Sequence, residues 1–289
     1  MKALIFGANG QDGFYLSELL ALQKIQVMGI SRSGNFLHTD IADPTAINEL
    51  IKINKPEFIF HLAANSTTRH DALFENHQTI STGTLNILEA VKNFSPDTKV
   101  FISGSALQFK NIGKPINETT AFEANDAYSV SRIHSVYAAR YYRSIGIKTY
   151  VGYFFNHDSP LRTERHISQK IVAALKRISK GSEEKIILGD VKAGKEWGFA
   201  GDITKAVWAL VNQDQIFEAV IGTGKAYTIE YWLKICFESK GLNWQDYFVQ
   251  DKSYQSPYQV LVSDPSLMMS LGWAPDVSIE QLAQMMINQ

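Results

Sequence analysis

Three evenly spaced glycines follow a short apolar segment near the start of the chain. Residues 7–13 read Gly-Ala-Asn-Gly-Gln-Asp-Gly and come directly after the apolar run Lys2–Phe6. Leucines at helical spacing follow Gly13, so the loop joins a predicted strand to a predicted helix. Such glycines allow a tight turn and a close backbone approach to a pyrophosphate, which the helix N-terminus then receives. The loop predicts a dinucleotide site, with a simple glycine-rich turn as the alternative.

The first half of the chain alternates short apolar runs with helical patterns. This alternation is typical of βαβ units, so we predict an α/β fold of Rossmann type with a doubly wound parallel sheet. The predicted strands are Lys2–Phe6, Gln26–Ile30, Phe58–Leu62, Lys99–Ser103 and Thr149–Phe155. The predicted helices are Gly13–Gln23, Pro44–Ile53, Thr82–Asn93 and Ala127–Ile145.

The pattern becomes irregular beyond about residue 156. The predicted elements there are the strand Lys185–Leu188 and the helices Ile167–Lys180, Ile203–Asn212, Ile229–Lys240 and Ile279–Ile287. They are too few to predict a separate core, so we expect a smaller C-terminal lobe over the carboxyl ends of the sheet, where open α/β folds bind ligands. We assign 1–156, with return segments from the C-terminal half, to the dinucleotide-binding domain, and 157–289 mainly to the substrate lobe.

The composition narrows the classes of partner. The 28 basic and 29 acidic residues nearly balance, so no nucleic-acid-binding face is predicted. No apolar run approaches the roughly 20 residues of a membrane span. The single cysteine, Cys236, excludes an intramolecular disulfide and fits a reducing compartment. We therefore expect a cytoplasmic protein that acts on a small molecule, without a metal site.

The end of the second strand distinguishes the two nicotinamide cofactors. An acid there binds the adenosine ribose hydroxyls, whereas an arginine accommodates the 2′-phosphate of NADP. The sequence has Arg32 and no acid, which favours NADP; NAD is the alternative if Arg32 is only a solvated loop residue. Asp40, followed by Ile41, is placed to hold the adenine amino group or to act only as an N-cap.

Tyr128 and Arg132 lie one turn apart on the same face of a predicted helix. A cation there stabilises the phenolate, and such a tyrosine can exchange a proton with a substrate oxygen while hydride moves to or from a nicotinamide. Ser105, just past the strand Lys99–Ser103, is placed to donate a hydrogen bond to the same oxygen. An ordinary surface pair is the alternative for Tyr128 and Arg132.

Several further segments, in order along the chain, match one family. The chain resembles the extended short-chain dehydrogenase/reductases that modify nucleotide sugars, and within them the group of GDP-mannose 4,6-dehydratase and GDP-4-keto-6-deoxymannose reductase. The resemblance runs nearly end to end. It rests on the glycine loop, the strand-four cofactor motif 61–64 (His-Leu-Ala-Ala), and segments 83–90, 156–162 (Asn-His-Asp-Ser-Pro-Leu-Arg), 195–198 (Lys-Glu-Trp-Gly) and 271–275.

The resemblance implies a role for each matching position. Ser105 and Tyr128 would be the catalytic hydroxyl and the acid/base, with Arg132 in place of the family's lysine. The cofactor would contact Gly7, Gly10, Gln11, Asp12, Gly13, Leu62, Ala63, Ala64, Tyr128 and Arg132. A nucleotide sugar, expected to be GDP-linked, would contact Ser66, Asn156, Arg162, Lys170 and Lys195, although Arg162 could equally be a solvated surface residue.

Two departures from the family pattern bear on the reaction. Arg132 keeps a positive charge, but its planar head does not reproduce the geometry of a lysine. The dehydratases carry a glutamate two residues after the catalytic hydroxyl, which removes a proton next to the ketone; here that position is Leu107, which cannot transfer protons.

These departures leave three functions open. The leading hypothesis is an NADP-dependent reductase of a GDP-linked 4-keto sugar, in which Tyr128 protonates the carbonyl oxygen; the short region Arg32–Asp40 also resembles the reductases. The alternative is a dehydratase or epimerase that retains its cofactor. The third is a cofactor-binding protein with little catalysis, which only the change to Arg132 supports.

The resemblance also implies a homodimer, formed through the helices that follow residues 83 and 127. Val136, Tyr137, Tyr141 and Tyr142 are candidates for a partly exposed aromatic surface of that kind, or they face the sheet instead.

Overall fold

The computed structural model describes residues 1–254 and 256–289. In chain order its strands are β1 (Lys2–Phe6), β2 (Gln26–Ile30), β3 (Phe58–His61), β4 (Lys99–Ser105), β5 (Thr149–Phe154), β6 (His157–Asp158), β7 (Ile186–Leu188), β8 (Gly194–Glu196), β9 (Gly198–Phe199), β10 (Glu218–Ile221), β11 (Ala226–Thr228), β12 (Phe248–Gln250) and β13 (Val260–Leu261). Its α-helices are α1 (Gln11–Leu22), α2 (Pro44–Asn54), α3 (Leu73–Asn76), α4 (Gly83–Phe94), α5 (Ala127–Ser144), α6 (Ile167–Ile178), α7 (Ala200–Val211), α8 (Ile229–Glu238), α9 (Ser266–Ser270) and α10 (Ile279–Asn288).

Six parallel strands form the central sheet, in the order β10-β5-β4-β3-β1-β2. Residues 3–6 of β1 are at most 1% exposed, because helices cover both faces of the sheet, as parallel sheets require. The chain places β2 on one side of β1 and β3 on the other, so the direction of winding changes between β1 and β3. The predicted α/β fold of Rossmann type is confirmed, and ligands of such folds bind at this switch point.

Two apolar cores lie on the two faces of the sheet. One includes residues of α2, α4 and α5, and the other includes residues of α1 and α7. Strand β10 and helix α7 come from the second half of the chain and pack into the sheet domain.

The C-terminal lobe has its own core, contrary to the expectation that its elements are too few for one. Buried faces of α6, α8 and α10 enclose it together with short strands. At its centre the rings of Trp197 and Trp232 stack with their centroids 4.6 Å apart. The core was missed because its members come from short segments without a long periodic pattern.

Helix α5 shows only part of the predicted aromatic surface. Tyr137 and Tyr141 are 58% and 61% exposed, whereas Val136 and Tyr142 are buried against the sheet domain. For Val136 and Tyr142 the alternative is the one observed, because both side chains face the core beside the sheet. Among the described residues, no helix is long and apolar enough to cross a membrane.

Candidate active site

The glycine loop is packed so tightly that two of its positions exclude any side chain. Gly7 has a φ of +90°, and a Cβ there would lie 2.7 Å from the Ala63 nitrogen. A Cβ on Gly13 would lie 2.5 Å from the Gly7 carbonyl oxygen. The loop thus brings its backbone, the start of α1 and the end of β3 together, which is the cradle that a dinucleotide pyrophosphate requires.

A cavity of 680 Å³ opens beside this loop at the ends of β1 and β2. It brings together most of the residues predicted to contact the cofactor: Gly7, Gly10, Arg32, Asp40, Ile41, Leu62, Ala63 and Ala64. Asp40 Oδ1 accepts a hydrogen bond from the Ala42 nitrogen at 2.9 Å, so this oxygen also shapes the turn before α2. It lies where dinucleotide-binding folds of this type hold the adenosine, and we call it the adenosine-side cavity.

The side chains of Gln11 and Asp12 join the glycine loop to the segment that follows β5. Gln11 Oε1 accepts a hydrogen bond from Ser159 Oγ at 2.8 Å, and Asp12 Oδ1 lies 2.9 Å from His157 Nε2. Gln11 Nε2 donates to the His157 carbonyl at 3.3 Å. We call these four residues the loop clamp. The sequence assigned Gln11 and Asp12 to the cofactor, but their side chains are engaged in this clamp, although both residues line the catalytic cavity described below.

His157 and Asp12 form an ion pair in which His157 is buried and Asp12 is partly buried. Burial opposes the charge on Asp12, but His157 and Arg162 hold the pKa of this carboxyl below its usual range. Burial likewise opposes a charged imidazole, but the neighbouring Asp12 raises the pKa of His157 above its ordinary value. The pair is therefore charged on both sides between about pH 4 and about pH 6.5.

The charge states make the contribution of this pair to stability depend on pH. The stability that Asp12 contributes is present above about pH 4 and is lost as pH falls through its lowered pKa. The stability that His157 contributes is present below about pH 6.5 and is lost as pH rises through its raised pKa.

We expect Asp12→Asn to lower the melting temperature most near pH 6 and progressively less as His157 deprotonates at higher pH. Melting curves of both proteins across this range measure the difference, with the exposed Asp71→Asn as control. A constant difference at all pH values would contradict the assignment.

The carboxyl ends of β4 and β5 and the start of α5 enclose a second cavity, of 300 Å³, which we call the catalytic cavity. It brings together the predicted residues Ser66, Ser105, Tyr128, Arg132, Asn156 and Arg162. Ser105 Oγ accepts a hydrogen bond from the Leu107 nitrogen at 3.2 Å, so its O–H proton is available to a ligand oxygen. Asn156 Oδ1 is buried and has no hydrogen-bond partner within the described residues. Both groups suit a polar ligand.

Arg132 lies under the ring of Tyr128 and is almost completely buried. Its guanidinium carbon is 5.0 Å from the centroid of the Tyr128 ring, and Nη1 donates to the hydroxyl of Ser103 at 2.8 Å and to the Ser103 carbonyl. Burial, and then the charge of Arg132, lower the pKa of the neighbouring His61 to about 3, so this imidazole is neutral. Arg132 thus connects Ser103 of β4 with the ring of Tyr128 at the start of α5.

A third cavity, of 490 Å³, lies between the sheet domain and the C-terminal lobe. Thr68 and Leu107 line both this cavity and the catalytic cavity, so the two adjoin at these residues. The wall of the third cavity includes Tyr254, Tyr258 and Lys195, which offer aromatic faces and a cation. The two adjoining cavities can therefore hold different parts of one ligand.

Two cations, one lining each of the adjoining cavities, lie near Asp158. Arg162 Nε lies 3.2 Å from Asp158 Oδ1, and Lys195 Nζ lies 4.3 Å from the centroid of the Trp197 ring. Burial opposes the charge on Asp158, but Lys195 and Arg162 hold its pKa below its usual range. Burial lowers the pKa of Lys195. One carboxylate between two cations leaves a net positive charge, which favours an anionic group such as a diphosphate.

One predicted substrate residue lies elsewhere. Lys170 is exposed on α6, where its Nζ donates to the Ile187 carbonyl at 3.0 Å, and it lines none of the three cavities. The structure does not bring it together with the other predicted residues.

Sequence reasoning missed two residues of the segment before α6. Arg165 lines both the adenosine-side cavity and the catalytic cavity, as Gly10 does. His166 lines the catalytic cavity, where burial, and then Arg162, lower its pKa to about 4. No local motif distinguishes these two side chains, because their position depends on how the lobe packs on the sheet.

Comparison with known proteins identifies the relatives of this chain. The family model of GDP-mannose 4,6 dehydratase matches residues 4–286. GDP-mannose 4,6 dehydratase 2 of Arabidopsis thaliana is 34% identical, over 99% of this chain and 86% of its own length. GDP-mannose 4,6-dehydratase of Vibrio cholerae is 28% identical, over 100% of this chain and 93% of its own.

Solved structures show the same fold at lower identity. UDP-glucose 4-epimerase of Thermotoga maritima, with UDP-glucose, has a TM-score of 0.89 at 20% identity and covers 100% of this chain and 98% of its own. RMD from Pseudomonas aeruginosa, complexed with NADPH, has a TM-score of 0.88 at 17% identity and covers 99% and 96%. The sequence relatives carry dehydratase names. These names favour the dehydratase alternative over the reductase, which was the leading hypothesis from the sequence.

Proposed function

The chain belongs to the GDP-mannose 4,6 dehydratase family, and from this premise we propose that it binds NADP and oxidises the hexose of a GDP-linked sugar at C4, in a reaction of the dehydratase type. The observation that carries the proposal is the catalytic cavity, where Ser105 and Tyr128 lie beside the glycine loop and next to the third cavity. NAD is the alternative cofactor. The names of the sequence relatives support GDP-mannose as the first substrate to test.

The residues of the catalytic cavity divide the proton chemistry between them. When bound, the nicotinamide supplies the acceptor or donor of hydride. Tyr128 takes the proton of the sugar C4 hydroxyl and returns it in the reverse direction. Ser105 donates a hydrogen bond to the same oxygen, and Arg132 stabilises the phenolate from beneath the ring. These groups suffice for the interconversion of an alcohol and a ketone.

The third cavity suits the nucleotide. We assign the C-terminal lobe, residues 157–289, mainly to this part of the ligand and residues 1–156 to the cofactor. Tyr254 and Tyr258 offer faces on which a base can stack, while Lys195 and Arg162 attract the diphosphate. Thr68 and Leu107, at the junction, would contact the sugar.

The elimination of water lacks an obvious base in this chain. This step needs a base that removes the proton next to the ketone, and the residue at position 107 is a leucine. Of the carboxylates in the described part of the chain, only Asp12 lines the catalytic cavity, and it is paired with His157. We therefore expect C4 oxidation to be retained and dehydration to be slow.

Incubation of the purified protein with GDP-mannose and NADP tests the proposal. Loss of one water from the sugar, read by mass spectrometry without net change in cofactor, supports the dehydratase reaction. An unchanged mass with altered stereochemistry at C4 indicates an epimerase. No conversion and no exchange of hydrogen at C4 would exclude both.

The reductase is the second candidate, and Leu107 is the observation that favours it. It predicts stoichiometric consumption of NADPH with GDP-4-keto-6-deoxymannose. If no GDP-linked keto sugar consumes NADPH, the reductase is excluded. A cofactor-binding protein with little catalysis would remain only if Arg132→Lys revealed activity that the wild type lacks.

Two further assignments stay predictions. Exposed side chains on α4 and α5 suit a homodimer through these helices; they are Leu85, Tyr137 and Tyr141. Sedimentation of the wild type and of Tyr141→Asp tests this prediction.

The prediction of a cytoplasmic location rests on the single cysteine, Cys236, which is buried and unpaired.

A further inference from the structure

An ion pair lies in the wall of the adenosine-side cavity. Glu75 on α3 reaches back to the segment after β2, where its Oε1 accepts a hydrogen bond from Arg32 Nη2 at 3.0 Å. Its Oε2 accepts from Asn65 Nδ2, just after β3, at 2.8 Å. Both Arg32 and Glu75 line the cavity. Partners from two strand ends thus hold the carboxylate in place.

The pair places an acid and an arginine together, whereas dinucleotide sites usually use one of them to select NAD or NADP. An acid near the end of the second strand binds the ribose hydroxyls of NAD, and an arginine there accommodates the 2′-phosphate of NADP. The sequence offers only the arginine at this strand end, but the fold supplies an acid from α3. The hydrogen bonds from Asn65 and Arg32 hold the pKa of Glu75 below its usual range, so the acid is ionised at neutral pH.

The consequences for the two cofactors are opposite. A 2′-phosphate that approaches Arg32 must displace Glu75 or lie beside its negative charge, which weakens the binding of NADP. An unphosphorylated ribose can donate its hydroxyl to the Glu75 carboxylate without this repulsion. Asp40, the other acid in the same cavity wall, uses one oxygen in the turn to Ala42.

We infer that Glu75 is the acid that contacts the adenosine ribose, and that with Arg32 it makes this site accept NAD(H) as well as NADP(H). The inference rests on the proposed function, because it concerns the cofactor of the same site. It identifies a specificity-determining residue 43 positions from Arg32 in the sequence.

Fluorescence titrations of NADPH and NADH, without any nucleotide sugar, test the inference. We expect Glu75→Gln to shift the ratio of the two dissociation constants toward NADPH by about fivefold or more, since it removes a charge next to a phosphate that carries nearly two. The shift should decrease as salt is added. Arg32→Gln should weaken NADPH and leave NADH nearly unchanged.

The exposed Asp71→Asn, which removes a carboxylate four positions away, is the matched control and should leave the ratio unchanged. A shift for Glu75→Gln below about fivefold, or toward NADH, would overturn the role of Glu75. Failure of the wild type to bind either nucleotide would instead contradict the cofactor assignment of the proposed function, and the inference with it. Because the Arg32 side chain is 67% exposed and that of Glu75 is only half-buried, at 43%, we expect both variants to fold.

Discussion

Tyr128→Phe is expected to lower kcat/KM for the GDP-linked sugar by about 10³-fold, within the range typical of the loss of a general acid or base. The variant removes only the hydroxyl that exchanges the proton at C4. The ring is 8% exposed and stacks on Arg132, and phenylalanine preserves this packing. Affinities for GDP and for NADPH should therefore change little.

Turnover and equilibrium titration together separate this role from a structural one. Tyr137→Phe removes a hydroxyl from the same helix at a position that is 58% exposed, and should be fully active. If Tyr128→Phe keeps more than about a tenth of the wild-type kcat, another group performs the proton transfer. A parallel loss of cofactor affinity would indicate a binding role instead.

Leu107→Glu is expected to increase dehydration of GDP-mannose by about 10²-fold, because it supplies the base that the elimination requires. Leu107 packs against one core of the sheet domain but is only partly buried, and it lines both the catalytic and the third cavity, so a carboxylate there would border the substrate site. The rate of water loss, followed by mass spectrometry, measures the gain.

Leu107→Gln provides a control of nearly equal size that cannot transfer a proton at neutral pH. If glutamine raises the rate as much as glutamate does, polarity rather than proton transfer is responsible. If neither raises it while hydrogen still exchanges at C4, the elimination is limited elsewhere and the role assigned to position 107 is wrong.

Local patterns predicted much of the sheet domain and the centre of the site. The glycine loop predicted the cradle, because its spacing between a strand and a helix constrains the backbone directly. Tyr128 and Arg132 were predicted to interact because helical periodicity fixes residues one turn apart. Ser105 lies in the catalytic cavity with them, because parallel strands end at a common edge of the sheet and Ser105 is at the end of β4.

Contacts between distant segments were not predictable in the same way. His157 is 145 residues from Asp12 in the sequence, and no local pattern predicts that the two side chains are in contact. Glu75 lies on a four-residue helix that the sequence did not predict, so this second acid of the adenosine-side cavity, beside Asp40, was missed. The core of the C-terminal lobe is a third example, since dispersed apolar residues reveal it only once the chain has folded.

The loop clamp has a consequence for the exchange of parts between homologues. Gln11 and Asp12 form hydrogen bonds with Ser159 and His157, so the side chains of the glycine loop and of the segment after β5 depend on each other. A chimera that receives residues 7–13 from a homologue with different side chains at positions 11 and 12 would keep the glycines but leave buried partners unmatched. Substitutions at these four positions should therefore be tolerated in pairs during divergence and seldom one at a time.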